Sequence, residues 1–308
     1  MTLKASMQGY APSVAIAPVP SPKGEFTLLK GDKWDKSVMR VNEHAWIIRR
    51  NVRRNIQRHL PQLAPHAPQR QSVCIVGGGW SLQVPEVFEE LRQLYFSGAK
   101  LIALNGAAKW LTERNMRPSM QIVLDARPGN VEFVRDAIPQ CRYMLASQCD
   151  PSLFDACDGR DVTMFHLFTE ADKESRRADP ITKRLDSYYM GRWTKLPTAG
   201  TVGVVSIMLC RVLGFSVQHL FGIDSCYAPD GVTHHAYPQA LNDGEGSAEF
   251  ITAGSRVFRC SAWQASQAQN LVDLISAWGD HLQLEIHGDG LIAHMLQEAA
   301  AQAEAKEK

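Results

Sequence analysis

Ser72-Val73-Cys74-Ile75-Val76-Gly77-Gly78-Gly79-Trp80-Ser81-Leu82 decides how this chain is read. It starts as a short apolar strand and runs directly into three glycines. Beyond it, Val87, Phe88, Leu91, Leu94 and Tyr95 recur on one helical face, which predicts a helix over Pro85 to Ser97. A strand, a glycine turn and a helix bring backbone N–H groups to a helix start, where an anion can sit. Glycine suits that turn because it has no side chain to block a phosphate and adopts φ > 0 without penalty. The stretch therefore predicts a nucleotide site.

Working outward, strand-like and helix-like segments alternate. Lys100 to Gly106, Met120 to Ala126, Arg142 to Ser147, Val162 to Phe168, Val217 to Asp224 and Leu282 to His287 read as strands. Helices are expected at Ala107 to Asn115, Gly129 to Ala137, Thr201 to Leu213 and Ala262 to Trp278, with another after the last strand. Glu170 to Trp193 is charged and aperiodic and reads as a lid or excursion; Tyr227 to Gly254 reads as a long loop. This alternation predicts an α/β fold: a Rossmann-like, doubly wound, mainly parallel sheet with an N-terminal helical extension. Ligands of such sheets sit outside the carboxyl ends of the strands. Gly77 to Ser81, Asn105, Asp125 and Asp224 all fall there.

The expected organisation has four parts. Residues 1–32, rich in Pro, Ser, Ala and Gly, read as a mobile arm. Residues 33–70 hold an amphipathic helix (Val38, Val41, Ala45, Ile48, Val52, Ile56) and a stiff connector at Pro61, Pro65 and Pro68. Residues 71–297 form the nucleotide-binding domain, and 298–308 a fraying tail. Arg50, Arg54 and Arg58 line one face of the helix, either as a solvated basic stripe or as a contact for phosphate, nucleic acid or a partner.

Bulk properties narrow the function. The 308 residues carry a formal charge of +1, which gives no global pull toward nucleic acid or anionic membrane. No apolar run approaches the ~20 residues that span a bilayer. Seven cysteines (Cys74, Cys141, Cys149, Cys157, Cys210, Cys226, Cys260) are scattered and never in C-x-x-C spacing. That pattern argues against a cysteine zinc site and for buried, reduced thiols in a cytoplasmic protein. The dinucleotide fingerprint fails, because Leu82 stands at the third glycine position and the second strand ends in Asn105 rather than an acid. No Walker loop or serine-hydrolase elbow occurs.

Cys74 to Leu82, Leu101 to Asp125, Gly200 to Gly203 and Gly222 to Tyr227, with a histidine further on, resemble the 6-hydroxymethylpterin diphosphokinase-like (MptE-like) domain. That family includes motility accessory factors linked to flagellin glycosylation, and its fold is similar to that of bacterial sialyltransferases. Trp80 stands where the family has proline, where it either stacks on a base or covers the sheet edge. The resemblance implies a nucleotide-using transferase. One form passes diphosphate from ATP to a hydroxymethyl group on a small heterocycle; the other uses a nucleotide sugar with a glycan acceptor. A third reading is a catalytically silent protein that binds a nucleotide or, through the Arg50, Arg54 and Arg58 face, a partner.

The candidate residues follow. Gly77, Gly78, Gly79 and Ser81 are expected to cradle phosphates. Asn105 is set to bond a ribose or base, or to close a strand-end turn. Asp125 and Asp224 are candidate Mg²⁺ ligands, since Mg²⁺ takes one or two carboxylates plus phosphate oxygens and water. Arg127 either clamps phosphate or pairs with Asp125. Thr201 caps the helix that follows it and, with Gly200, forms a second glycine-bearing helix start for the far end of a polyphosphate. Tyr227 is a candidate hydrogen-bond donor to substrate. His234 and His235 lie in the following loop, and the family pattern selects His235 as general base. His287 and Asp289 close the last strand and are candidates to face the same crevice.

Overall fold

Val73, Cys74, Ile75 and Val76 are all fully buried, which is the signature of a central parallel strand covered on both faces. The computed structural model describes residues 14–16, 43–168, 180–197, 201–239, 249–278 and 283–298. In it this strand, β2 (Val73–Val76), lies between β3 (Lys100–Leu104) and β8 (Val217–Phe221), parallel to both. Beyond β3 come β4 (Met120–Val123), β5 (Arg142–Ala146), β6 (Val162–Phe168) and β7 (Lys195–Pro197), all parallel. Beyond β8 lies β11 (Gln283–His287), also parallel. The antiparallel β1 (Val14–Ile16) closes that edge. The expected doubly wound sheet is what forms.

Period-two alternation sends the residues of β2 to two cores. Cys74 and Val76 join Val87 and Leu91 of α2 (Pro85–Phe96) and Trp110 and Leu111 of α3 (Ala107–Thr112). Val73 and Ile75 join the opposite core, with Val205 and Ile207 of α6 (Val202–Val212) and Ala265, Ala268 and Leu271 of α7 (Ala262–Trp278). Connections leaving β2 and β8 thus depart to opposite faces. The strand order reverses between these two strands, which opens a crevice at their carboxyl ends.

Several local expectations change. Val14–Ile16, within the segment expected to be a mobile arm, pairs with Leu284, Glu285 and Ile286 as an edge strand. The helix expected from residue 33 is described from α1 (Ala45–Asn55) onward, and its residues 33–42 lie outside the described residues. Asn51 and Asn55 donate to the carbonyls of Gln148, Ser147 and Cys149, fixing α1 to the turn after β5. Residues 129–137 coil as a 3₁₀ turn (Pro128–Val134) rather than an α-helix. A short helix, α4 (Pro151–Ala156), capped by Asp150 accepting from Ser152 N–H, was not expected. Within the expected excursion 170–193, a helix α5 (Pro180–Tyr188) forms, with Leu185 buried. The long loop ends in a hairpin of β9 (Glu249–Ala253) and β10 (Arg256–Cys260). Gly254 takes φ +55° at its turn.

Candidate functional site

The two turns at the reversal point are laced together. Gly77 N–H donates to Phe221 O and Gly79 N–H to Gly222 O, both at 2.8 Å. Ser81 N–H donates to the Asp224 carboxylate at 2.9 Å. A Cβ on Gly77 would sit 2.5 Å from Gly222 O, and one on Gly79 would fall on the Asp224 carboxylate. The glycines therefore allow the two turns to touch, and their N–H groups satisfy strand-end acceptors. Of the four residues expected to cradle phosphate, Gly77, Gly79 and Ser81 spend their N–H groups this way, whereas these bonds do not use that of Gly78. At the start of the 3₁₀ turn Trp80–Gln83 that leads into α2, Asp224 supplies the anion from within the chain.

Asp224 is 5% exposed and is enclosed by Ser81, Gly79, Gly288 and Gly290. Burial is the largest influence on it and pushes its carboxyl up to about 6, against the lowering effect of the hydrogen bond from Ser81 N–H. Asp289 nearby raises it further.

Asp125 follows β4, three strands from β8. Its Oδ1 accepts from Arg127 N–H at 3.0 Å, and its Oδ2 accepts from Arg127 Nε at 2.8 Å and Nη2 at 2.6 Å. Its carbonyl accepts from Asn130 Nδ2 at 3.0 Å. The Asp–Arg pair foreseen as one alternative is present. Asp224 faces the other way, toward β2 and the end of β11, so the two carboxylates are not brought together. One is ion-paired and the other desolvated, and neither set of contacts suits Mg²⁺, which keeps its waters and needs free carboxylate oxygens.

Asn105 adopts the left-handed conformation (φ +49°) at the end of β3. Its N–H donates to Ile122 O, and its carbonyl accepts from Gln121 Nε2 at 2.9 Å. Its side-chain Oδ1 is buried without a partner among the described residues. The strand-end turn foreseen as one alternative is present, and the side-chain acceptor is turned away from solvent.

Segment 227–239 folds over the glycine turn. Gly79 forms an antiparallel bridge with His235, Ala236 N–H donates to Gly78 O at 2.9 Å, and Gln83 Nε2 donates to Ala236 O at 3.1 Å. His235 Nδ1 lies 3.3 Å from Gln239 Nε2 and its ring is 3.9 Å from that of His234. Tyr237 and Gln239 stand over Gly78, where a Cβ would meet the tyrosine hydroxyl at 3.0 Å and overlap the amide. Tyr237 also covers Gly106 and packs on Trp110. Sequence reasoning missed Tyr237 and Gln239; their only signal was a place shortly past the histidine pair. Tyr227 sits below His234 and under the Arg259 guanidinium, with its N–H on Arg259 O.

Thr201 is the N-cap of α6, its Oγ1 accepting from Val204 N–H at 3.5 Å, while Gly200 lies outside the described residues. A Cβ on Gly203 would stand 3.4 Å from Ile223, so this second helix start adjoins the turn after β8. Trp80 is buried and belongs to the core, consistent with its reading as a cover. His287 is buried on the α2 side, and Asp289 pairs with Arg256.

The basic stripe on α1 is partly committed. Arg58 pairs with Asp155 at 2.6 Å and lies over Phe154, and Arg50 lies over Trp46. All seven cysteines are buried free thiols, and burial pushes that of Cys226, beside the site, up to about 12. Among the described residues, no helix is long and apolar enough to cross a membrane.

Comparison with known proteins agrees with this architecture. No curated protein matches the chain. Among solved structures, the MAf glycosyltransferase from Magnetospirillum magneticum AMB-1 has the same fold at TM-score 0.55 and 14% identity. The match covers 84% of this chain and 42% of that one, so the chain spans less than half the length of this relative. The family model for 6-hydroxymethylpterin diphosphokinase MptE-like proteins matches residues 48–230, taking in the glycine turn, Asn105, Asp125 and Asp224. The chain is a member of the 6-hydroxymethylpterin diphosphokinase MptE-like family.

Proposed function

We propose that this protein is a nucleotide-dependent transferase whose donor binds in the crevice between the turns after β2 and β8. The observation that carries the reading is the closure of segment 227–239 on Gly78. It sets His235, Tyr237 and Gln239 over a topological switch point. The phosphates lie at the Thr201 helix start beside the turn after β8, where N–H groups and dipole favour anions. Asn105 Oδ1 accepts a hydrogen bond from the nucleoside.

His235 takes the proton of the acceptor alcohol as its oxygen attacks. Gln239 Nε2, 3.3 Å from His235 Nδ1, holds the imidazole in place over the turn. Charge on the transferred group is met by oriented backbone donors. No step is routed through Mg²⁺, because Asp125 and Asp224 do not offer it a site. Family membership supports diphosphate transfer from ATP to a hydroxymethyl group on a small heterocycle. The fold shared with a glycosyltransferase supports a second reading, transfer from a nucleotide sugar to a glycan.

A thermal-shift panel of ATP, CTP, CMP, UDP and GDP, each with and without Mg²⁺, tests the proposal. A true donor at 100 times its Kd adds about 2.7 kcal/mol of stability. AMP release with an alcohol acceptor selects the first reading, and sugar transfer the second. A flat response to every nucleotide removes both.

A further inference from the structure

On the α2 side of the sheet, away from the crevice, three metal-ligating side chains converge. His219 on β8 is in register with Glu285 on β11, and Phe221 with His287, so all four project from one face. His219 Nδ1 lies 3.0 Å from Glu285 Oε2 and 3.2 Å from His287 Nε2. One ligand atom from each of the three residues falls within 4.8 Å of the others. Both histidines are buried, and Glu285 is half-buried.

We propose that His219 Nδ1, His287 Nε2 and a Glu285 carboxylate oxygen form a binding site for a zinc-class divalent cation. Three observations carry this beyond a cluster. First, the two separations from His219 Nδ1, 3.0 and 3.2 Å, are close to the roughly 3.3 Å between ligands about 2.0–2.1 Å from a tetrahedral zinc, and the third is within 4.8 Å. Second, His287 Nδ1 is 2.7 Å from Glu90 Oε2 on α2. That carboxylate accepts the Nδ1 proton and aims the Nε2 lone pair inward, as carboxylates behind metal-bound histidines do. The ring is also clamped flat on Phe221 at 4.0 Å and 10°.

Third, protons alone do not satisfy the arrangement. With Nδ1–H of His287 given to Glu90 and Glu285 ionised, the single hydrogen on His219 Nδ1 faces two acceptors and can serve one well. A cation serves all three lone pairs at once, with His219 carrying its proton on Nε2. Three protein ligands leave one position for water, and the bonds tie the last parallel strand to its neighbour. This site shares no residue with the proposed donor crevice, so either can fail alone.

The test uses the full chain, stripped with a chelator and titrated with Zn²⁺ and then Co²⁺, with metal content measured after dialysis. One equivalent per chain is expected, with the strong visible absorption of low-coordinate Co²⁺ and no thiolate charge-transfer band. Glu285→Gln, at the rim, should abolish binding while the far-ultraviolet spectrum is retained. Glu90→Gln should weaken it roughly 10–100-fold. Absence of bound metal, a thiolate band, or full stoichiometry in folded Glu285→Gln would overturn the proposal.

Discussion

Replacing Asp224 with asparagine removes a charge from an apolar enclosure while keeping an acceptor for Ser81 N–H. The wild-type carboxyl is raised from 3.8 to about 6, chiefly by burial. A carboxyl whose folded pKa is raised binds its proton more tightly when folded. Its contribution to stability is therefore complete below pH 3.8 and is lost as pH rises through 6. At about 1.4 kcal/mol per pH unit, the loss reaches about 3 kcal/mol by pH 8. The substituted amide cannot ionise and escapes it. Urea unfolding of both proteins from pH 4 to 8, read by tryptophan fluorescence, isolates the group, because all other titrations cancel in the difference. The advantage of Asp224→Asn over wild type should grow with pH, bend near 6 and level off. Any constant offset belongs to the amide's own hydrogen bonding. A difference that stays level from pH 4 to 8, or bends below 4, would mean that water or a cation reaches the carboxylate, and the account of a buried capping anion would fall.

Two further outcomes follow from the same crevice. Gly79→Ala puts a methyl group onto the Asp224 carboxylate and against Gly222 O. Forced close contacts of this kind cost typically about 1–3 kcal/mol, so its urea midpoint should drop with an unchanged m-value; an unaltered midpoint would show that the two turns part easily. His235→Gln should lower kcat by about 10²–10⁴ while nucleotide-induced thermal shifts persist, and His234→Gln should leave kcat nearly intact. Equal losses in the two variants would place the base elsewhere.

Much of the fold was legible because local pattern and tertiary role agreed. The apolar run Val73 to Val76, fully buried, and the helical spacing after Pro85 each point to one solution. What stayed hidden depends on partners far along the chain. The N–H groups of Gly77, Gly79 and Ser81 meet acceptors more than 140 residues later, at Phe221, Gly222 and Asp224. A glycine run that binds phosphate and one that lets two turns touch read identically in sequence. Arg127 lies two residues from Asp125, and that pairing was within sight. His219, Glu285 and His287 offered no local motif, since strand register alone brings them together. The hairpin β9–β10 was foreshadowed by alternation, with Ile251 and Phe258 buried and Phe250 and Val257 exposed, but short strands beside a long polar stretch carry little weight.

Strand order also has a consequence for biosynthesis. Of the described parallel strands β2 is made first; it gains its neighbour β3 within about thirty residues but waits for residue 217 before its other edge is covered. Until then a wholly apolar ribbon keeps one row of amides and carbonyls unpaired, a state that invites association with other nascent chains. The crevice is completed only when β8 slots in beside it, and Asp224 is enclosed only after Gly288 and Gly290 have been made.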